Sequence, residues 1–190
     1  MTEPILPSRY DPVAVTLHWL IALCIIAMIP LGFFMGDLPE AIRGDGYTLH
    51  KSIGITVLAL SIFRLIWRLL NPPPALPADM PPIERFLAHV AHWLLYFLIV
   101  AMPLSGWLMV SAMHQHPTVY FWSGEVPFLP MPGGIDAKAT KALFAYYHRW
   151  LAYGALVLIV LHVGAALNHH VVRRDTILRR MLPRWLQRRA

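Results

Sequence analysis

His148 and His162 stand fourteen residues apart in one apolar stretch. At about 100° and 1.5 Å per residue, that spacing returns both imidazoles to one helix face about 21 Å apart. Imidazole is a common iron and haem ligand, so two depths on one face suit two metal centres stacked across a bilayer. Each centre then needs a partner histidine from another helix. Ten histidines are present, and their depths decide which can pair.

The elements that position them are membrane spans. Of 190 residues, 57% are hydrophobic and only 14% charged, well outside soluble averages of roughly a quarter charged. Four stretches reach the roughly 20 apolar residues needed to cross a hydrocarbon core: Val13–Met35, Leu49–Leu70, Phe86–Met113 and Ala142–Val172. The expected fold is an all-α, four-helix membrane bundle forming one domain over residues 1–190. The first apolar run is too long for a cleaved signal peptide and has no small-residue cleavage pattern. Asn71–Ile83 carries six prolines and reads as a stiff cytoplasmic spacer. The connection His114–Lys141, with Tyr120, Phe121, Trp122 and Phe128, suits the opposite membrane interface or a lid over a site.

Basic residues orient the bundle. Arg9, Arg64, Arg68, Arg85, Arg173, Arg174, Arg179, Arg180, Arg184, Arg188 and Arg189 fall on the side of both termini, against Arg43, Lys51, Lys138, Lys141 and Arg149 opposite. The positive-inside rule therefore puts both termini in the cytoplasm, with the chain in the bacterial inner membrane. The basic tail reads as a lipid anchor rather than a nucleic-acid site. A single cysteine, Cys24, excludes a disulfide framework, covalent haem attachment by C-x-x-C-H and a cysteine-held iron–sulfur cluster.

Depth sorts the histidines into pairs. His18 is shallow on the cytoplasmic side of the first span, and His162 lies at a similar depth in the fourth. His50 and His148 both open their spans from the outer side. Two axial histidines leave no open position for oxygen, which favours electron transfer. Small residues near these positions, namely Gly54, Gly154, Ala155 and Gly164 to Ala166, suit either a flat macrocycle between helices or ordinary helix packing. His89 and His92 are rivals for the inner ligand, or hydrogen-bond a propionate, a quinone carbonyl or a neighbouring helix. His169, on much the same face as His162, suits a quinone-pocket wall or a headgroup contact, while His114 and His116 read as solvated loop residues. Arg64 and Arg68 share a face and serve equally as positive-inside anchors or as partners for a haem propionate.

The motifs His18-Trp19-Leu20, His50-Lys51-Ser52-Ile53-Gly54, Arg64-Leu65-Ile66-Trp67-Arg68, Asn71-Pro72-Pro73-Pro74, Ala88-His89-Val90-Ala91-His92, Leu161-His162 and His169-His170 together resemble the bacterial cytochrome b561 family. The likeness is to its short di-haem members that act as superoxide oxidase, and it spans nearly the whole chain. It implies two haem b groups with axial ligands His18, His50, His148 and His162, in agreement with the depth pairing. It also implies electron entry from superoxide on the outer side and transfer to ubiquinone on the inner side. Lys51, Lys138, Lys141 and Arg149 lie close in sequence to the outer ligands and could steer an anionic donor. Two other readings stand beside it. One is a cytochrome b subunit relaying electrons from a periplasmic hydrogenase or dehydrogenase to quinone; the other is a haem-free membrane scaffold. The sequence leaves the donor, the quinone pocket, haem potentials and oligomeric state open.

Overall fold

The computed structural model describes residues 9–77, 79–112, 118–122, 124–132 and 136–183. His114, His116, Arg184, Arg188 and Arg189 lie outside the described residues. Four helices are long and apolar enough to span a membrane: α1 (Pro12–Phe34), α2 (Glu40–Leu70), α3 (Pro82–Ser111) and α4 (Ala137–Leu167). A short turn of tighter helix follows α1 at Met35–Asp37, and α4 runs on into a widened turn at Asn168–Val172.

Local chemistry sets the helix starts. Pro12 and Pro82 stand at first-turn positions, where a missing N–H costs nothing. The Asp11 carboxylate caps α1 by accepting from Ala14 N–H at 3.0 Å. Asp136 does the same for α4, accepting from Lys138 and Ala139 N–H. Three helices begin a turn or more earlier than their apolar runs suggest: α2 at Glu40 rather than Leu49, α3 at Pro82 rather than Phe86, and α4 at Ala137 rather than Ala142. The added turns are polar, so they carry no hydropathy signal although they continue the backbone ladder.

Neighbours pack in chain order, α1 on α2, α2 on α3 and α3 on α4. Small side chains sit at the closest approaches: Ser52 is 1% exposed, and Ser61, Ser111 and Ala112 are fully buried. That is how membrane helices associate, because lipid gives apolar residues no reason to leave it. Large residues such as Leu23, Ile26, Phe97, Val157 and Val160 accordingly stay exposed on the bundle's outer faces.

Each end of the bundle is closed by side chains bonded to distant backbone. At the end that carries both termini, Trp19 Nε1 donates to Met181 O at 2.8 Å and Arg180 donates to Ala75 O at 2.6 Å. Arg173 there grips the Glu84 carboxylate with both guanidinium nitrogens. At the opposite end an antiparallel hairpin, β1 (Thr118–Phe121) and β2 (Gly124–Pro127), pairs Phe121 with Gly124. This hairpin is an addition to the all-helical expectation. Trp122 turns it with φ of 50°, a left-handed conformation costly for a bulky residue. Two bonds to α2 hold that conformation: Trp122 N–H to Ser52 Oγ at 3.0 Å and Trp122 Nε1 to Thr56 Oγ1 at 3.1 Å.

Asp11 also accepts from Trp67 Nε1 at 3.0 Å, tying the start of α1 to the close of α2. Burial opposes its ionisation, yet the hydrogen bonds from Ala14, Trp67 and Val13 prevail and hold the carboxyl below its usual range. A carboxyl depressed in the folded state adds stability above its unfolded value of about 3.9, and that stability is lost as pH falls through the folded value. Asp11→Ala should therefore cost about 1 kcal/mol at neutral pH. Asp11→Asn should keep the cap but flatten the acid limb of stability, read as thermal unfolding in detergent between neutral pH and pH 3.

Candidate functional site

One spacing recurs on all four helices. His18 and Gly32 on α1, His50 and Arg64 on α2, His92 and Gly106 on α3, and His148 and His162 on α4 are each fourteen residues apart. Antiparallel packing then builds two levels about 21 Å apart along the helices. The terminal level, nearer the chain ends, holds His18, Arg64, His92 and His162. The hairpin level holds Gly32, His50, Gly106 and His148.

Within each level the expected histidines meet. The ring centres of His50 and His148 are 6.1 Å apart, and those of His18 and His162 are 6.3 Å apart. A metal–imidazole bond of about 2 Å on each side, with each ring centre about 1.1 Å behind its nitrogen, predicts close to 6 Å for two rings sharing one metal. Both pairs have the spacing at which two imidazoles could hold one metal ion between them.

Hydrogen bonds orient the hairpin level. His148 Nδ1 donates to Met102 O at 3.0 Å and also lies 3.0 Å from Ser105 Oγ. That bond leaves Nε2 with its lone pair, the tautomer a ligand needs. His50 Nδ1 is buried without a hydrogen-bond partner, a cost expected only where the ring serves another purpose. The two glycines make room for these rings. A Cβ on Gly32 would stand 3.2 Å from His50 Cε1, and one on Gly106 would stand 3.0 Å from His148 Cε1.

The terminal level is more crowded and more polar. His92 comes within 5.6 Å of His162, measured between ring centres, so three imidazoles meet there. His92 Nδ1 donates to Ala88 O, which frees its Nε2. Arg64 donates to Ala14 O at 2.8 Å, reaches His18 Nδ1 at 3.5 Å and lies 5.8 Å over the Tyr96 ring. Among the described residues no carboxylate pairs with Arg64. A guanidinium at this depth is stable only beside an acceptor or an anion.

The other expected residues are placed as follows. His89 Nδ1 donates to Arg85 O at 2.6 Å. His169 is held by Asp175 at 2.5 Å in the widened turn. Arg68 lines a cavity at the terminal end together with His89 and His92. Lys138, Lys141 and Arg149 are exposed, and Lys51 is half-buried. Gly154 and Gly164 face open space, roughly 120° and 160° round α4 from His148 and His162 respectively, so they are not the small residues that admit these rings. Gly32 and Gly106 fill that role. Their signal in the sequence was the fourteen-residue step from His18 and His92.

Four membrane helices presenting two levels of paired imidazoles define a membrane cytochrome. The family model described as prokaryotic cytochrome b561 matches residues 9–184. Cytochrome b561 homolog 2 of Escherichia coli (strain K12) is 35% identical over 181 residues, covering 93% of this chain and 92% of that protein. Probable superoxide oxidase CybB of Yersinia pestis is 32% identical over 179 residues, covering 93% and 97%. Cytochrome b562 of Cereibacter sphaeroides is 25% identical over 179 residues. The chain belongs to the prokaryotic cytochrome b561 family: a bacterial, haem b-binding membrane protein of electron transfer.

Gly106→Val should push the His148 ring aside and cut the haem bound per chain, measured as pyridine haemochrome on purified protein. Gly154→Val, at a position where an added Cβ meets nothing within 4 Å, should leave haem content unchanged. Equal content in both variants would remove Gly106 from the site.

Proposed function

We propose that this protein holds two haem b groups, oxidises superoxide at the periplasmic face and reduces ubiquinone on the cytoplasmic side. The observation that carries the reading is the pair of imidazole couples at 6.1 and 6.3 Å, stacked on one fourteen-residue register. His50 with His148, and His18 with His162, would hold the iron atoms. Haem b so bound supplies reversible one-electron chemistry, and two imidazoles on each iron exclude oxygen as a ligand. The name of the Yersinia pestis relative supports the superoxide assignment.

The chain's own residues have distinct tasks in this reading. Met102 O and Ser105 Oγ fix the tautomer of His148. Arg64, without a carboxylate partner among the described residues, would receive a propionate and add positive charge to the terminal level. Lys51, Lys138, Lys141 and Arg149 would draw the superoxide anion toward the hairpin level. Two superoxide ions give up one electron each and leave as dioxygen. Ubiquinone takes both electrons with two protons from the cytoplasmic side, and ubiquinol forms. Positive-inside charge supports this orientation, with the hairpin end in the periplasm.

In proteoliposomes, superoxide should drive ubiquinone reduction by the isolated protein, with no soluble partner. Replacing Lys51 and Lys141 by Gln should slow superoxide consumption several-fold at low ionic strength and weaken its salt dependence. Kinetics identical to the parent would remove the lysines from the path, and no superoxide-driven quinone reduction at all would sink the reading. Arg64→Leu should lower the midpoint potential of one haem by about 60 mV or more, a tenfold change in a one-electron equilibrium. Redox titration in the visible bands measures it.

A further inference from the structure

The terminal level holds one imidazole more than a metal between two axial ligands requires. The ring centre of His162 lies 6.3 Å from that of His18 and 5.6 Å from that of His92, on either side of the roughly 6 Å expected of two rings on one metal. At the hairpin level the corresponding position of α3 is a glycine, Gly106. We propose that His92 is a second axial ligand of the terminal centre, interchangeable with His18 opposite His162. The inference rests on the two-haem reading proposed above and adds a third ring to one of its sites.

Hydrogen bonding sets His92 to ligate. Its Nδ1 donates to Ala88 O at 2.5 Å, so Nε2 carries the lone pair that a metal needs. His18 is held differently. The Arg64 guanidinium, which has donors only, stands 3.5 Å from His18 Nδ1, and that contact favours the lone pair on Nδ1 and the proton on Nε2. To ligate through Nε2, His18 must carry its proton on Nδ1, facing a group that cannot accept it. A guanidinium drawn off by an anion therefore releases His18, and one left on Nδ1 favours His92.

Packing gives the exchange a mechanical basis. α3 packs directly on α4, so His92 and His162 come from adjoining helices, whereas α1 packs on α2. A shift of α1 lengthens the reach of His18 and leaves that of His92 unchanged. His92 also has room to turn, because it borders a cavity of about 320 Å³. His18 is flanked instead by Arg64 and by Trp19, whose ring centre is 5.4 Å away.

In the exchange the bond from His18 Nε2 breaks and a bond from His92 Nε2 forms. Each neutral ring takes or brings its own lone pair, so the charge and the number of ligands on the metal are unchanged. The only proton to move passes between the two nitrogens of the freed His18 ring. The consequence is a terminal position that stays closed. Haem iron with one imidazole has a place for dioxygen and haem iron with two has none, so the spare ring keeps electron transfer from turning into oxygen chemistry when α1 moves.

The test reads coordination rather than turnover, on purified haem-loaded protein. His18→Ala should keep two low-spin haems per chain, by pyridine haemochrome and electron paramagnetic resonance, and its dithionite-reduced form should bind no carbon monoxide. His18→Ala combined with His92→Ala should keep one low-spin haem, that of the hairpin level, with the other lost or turned high-spin and open to carbon monoxide. His18→Met retains a side chain able to bind metal, so it keeps the terminal haem on either account. With His92 taking over, both haems hold bis-imidazole spectra and potentials close to the parent's, whereas a methionine ligand raises one potential. One haem opened or lost in His18→Ala, or one potential raised in His18→Met, would overturn the exchange and leave the two-haem reading standing. A parent protein carrying fewer than two haems per chain would overturn both.

Discussion

An imidazole inside a membrane is costly to place, and in this chain the placing of imidazoles organises the bundle. The fourteen-residue step places a histidine, a glycine or, on α2 at the terminal level, Arg64 at each of two levels on every helix. Because the step is almost four full turns, one rotation of each helix brings both levels into register at once. A helix turned to serve one level is already turned to serve the other. Small buried serines at the helix contacts allow the close approach this needs, and Ser52 and Ser111 also bind the hairpin and the segment after it.

The two levels are unequal, and the inequality has a direction. At the hairpin level, glycines on α1 and α3 yield space to two imidazoles. At the terminal level the corresponding positions are histidines, and α2 contributes Arg64 in place of an imidazole. Added positive charge in a medium of low dielectric stabilises whichever form carries the extra electron. The terminal level therefore offers an added electron more favourable electrostatics than the hairpin level does.

Much of this was legible in the sequence. The four spans followed from apolar run length, and the pairs His18 with His162 and His50 with His148 from depth alone. The polar first turns of α2, α3 and α4 were hidden because hydropathy reports lipid contact and not backbone bonding. The hairpin was hidden for a different reason. Its strands are four residues each, and what holds them is contact with Ser52 and Thr56, far away in the chain. Gly32 and Gly106 were overlooked because a glycine beside a ligand in sequence is easier to notice than one a fixed step from a histidine on another helix.

The connections matter to function through rigidity rather than chemistry. Electron transfer between fixed centres gains nothing from large motions, and it is best served by small reorganisation. Both ends of the bundle are closed by long-range hydrogen bonds: at the hairpin end the N–H groups of Trp122 and Leu129 donate to Ser52 and Ser111 Oγ and Trp107 Nε1 donates to Pro127 O, and at the terminal end Trp19, Arg173 and Arg180 donate to Met181 O, the Glu84 carboxylate and Ala75 O. Such bonds cross between elements that share no helix ladder, so they fix spacing where the ladder cannot. The strained backbone at Trp122 marks how firmly that end is held, since a left-handed tryptophan persists only where its surroundings over-determine it.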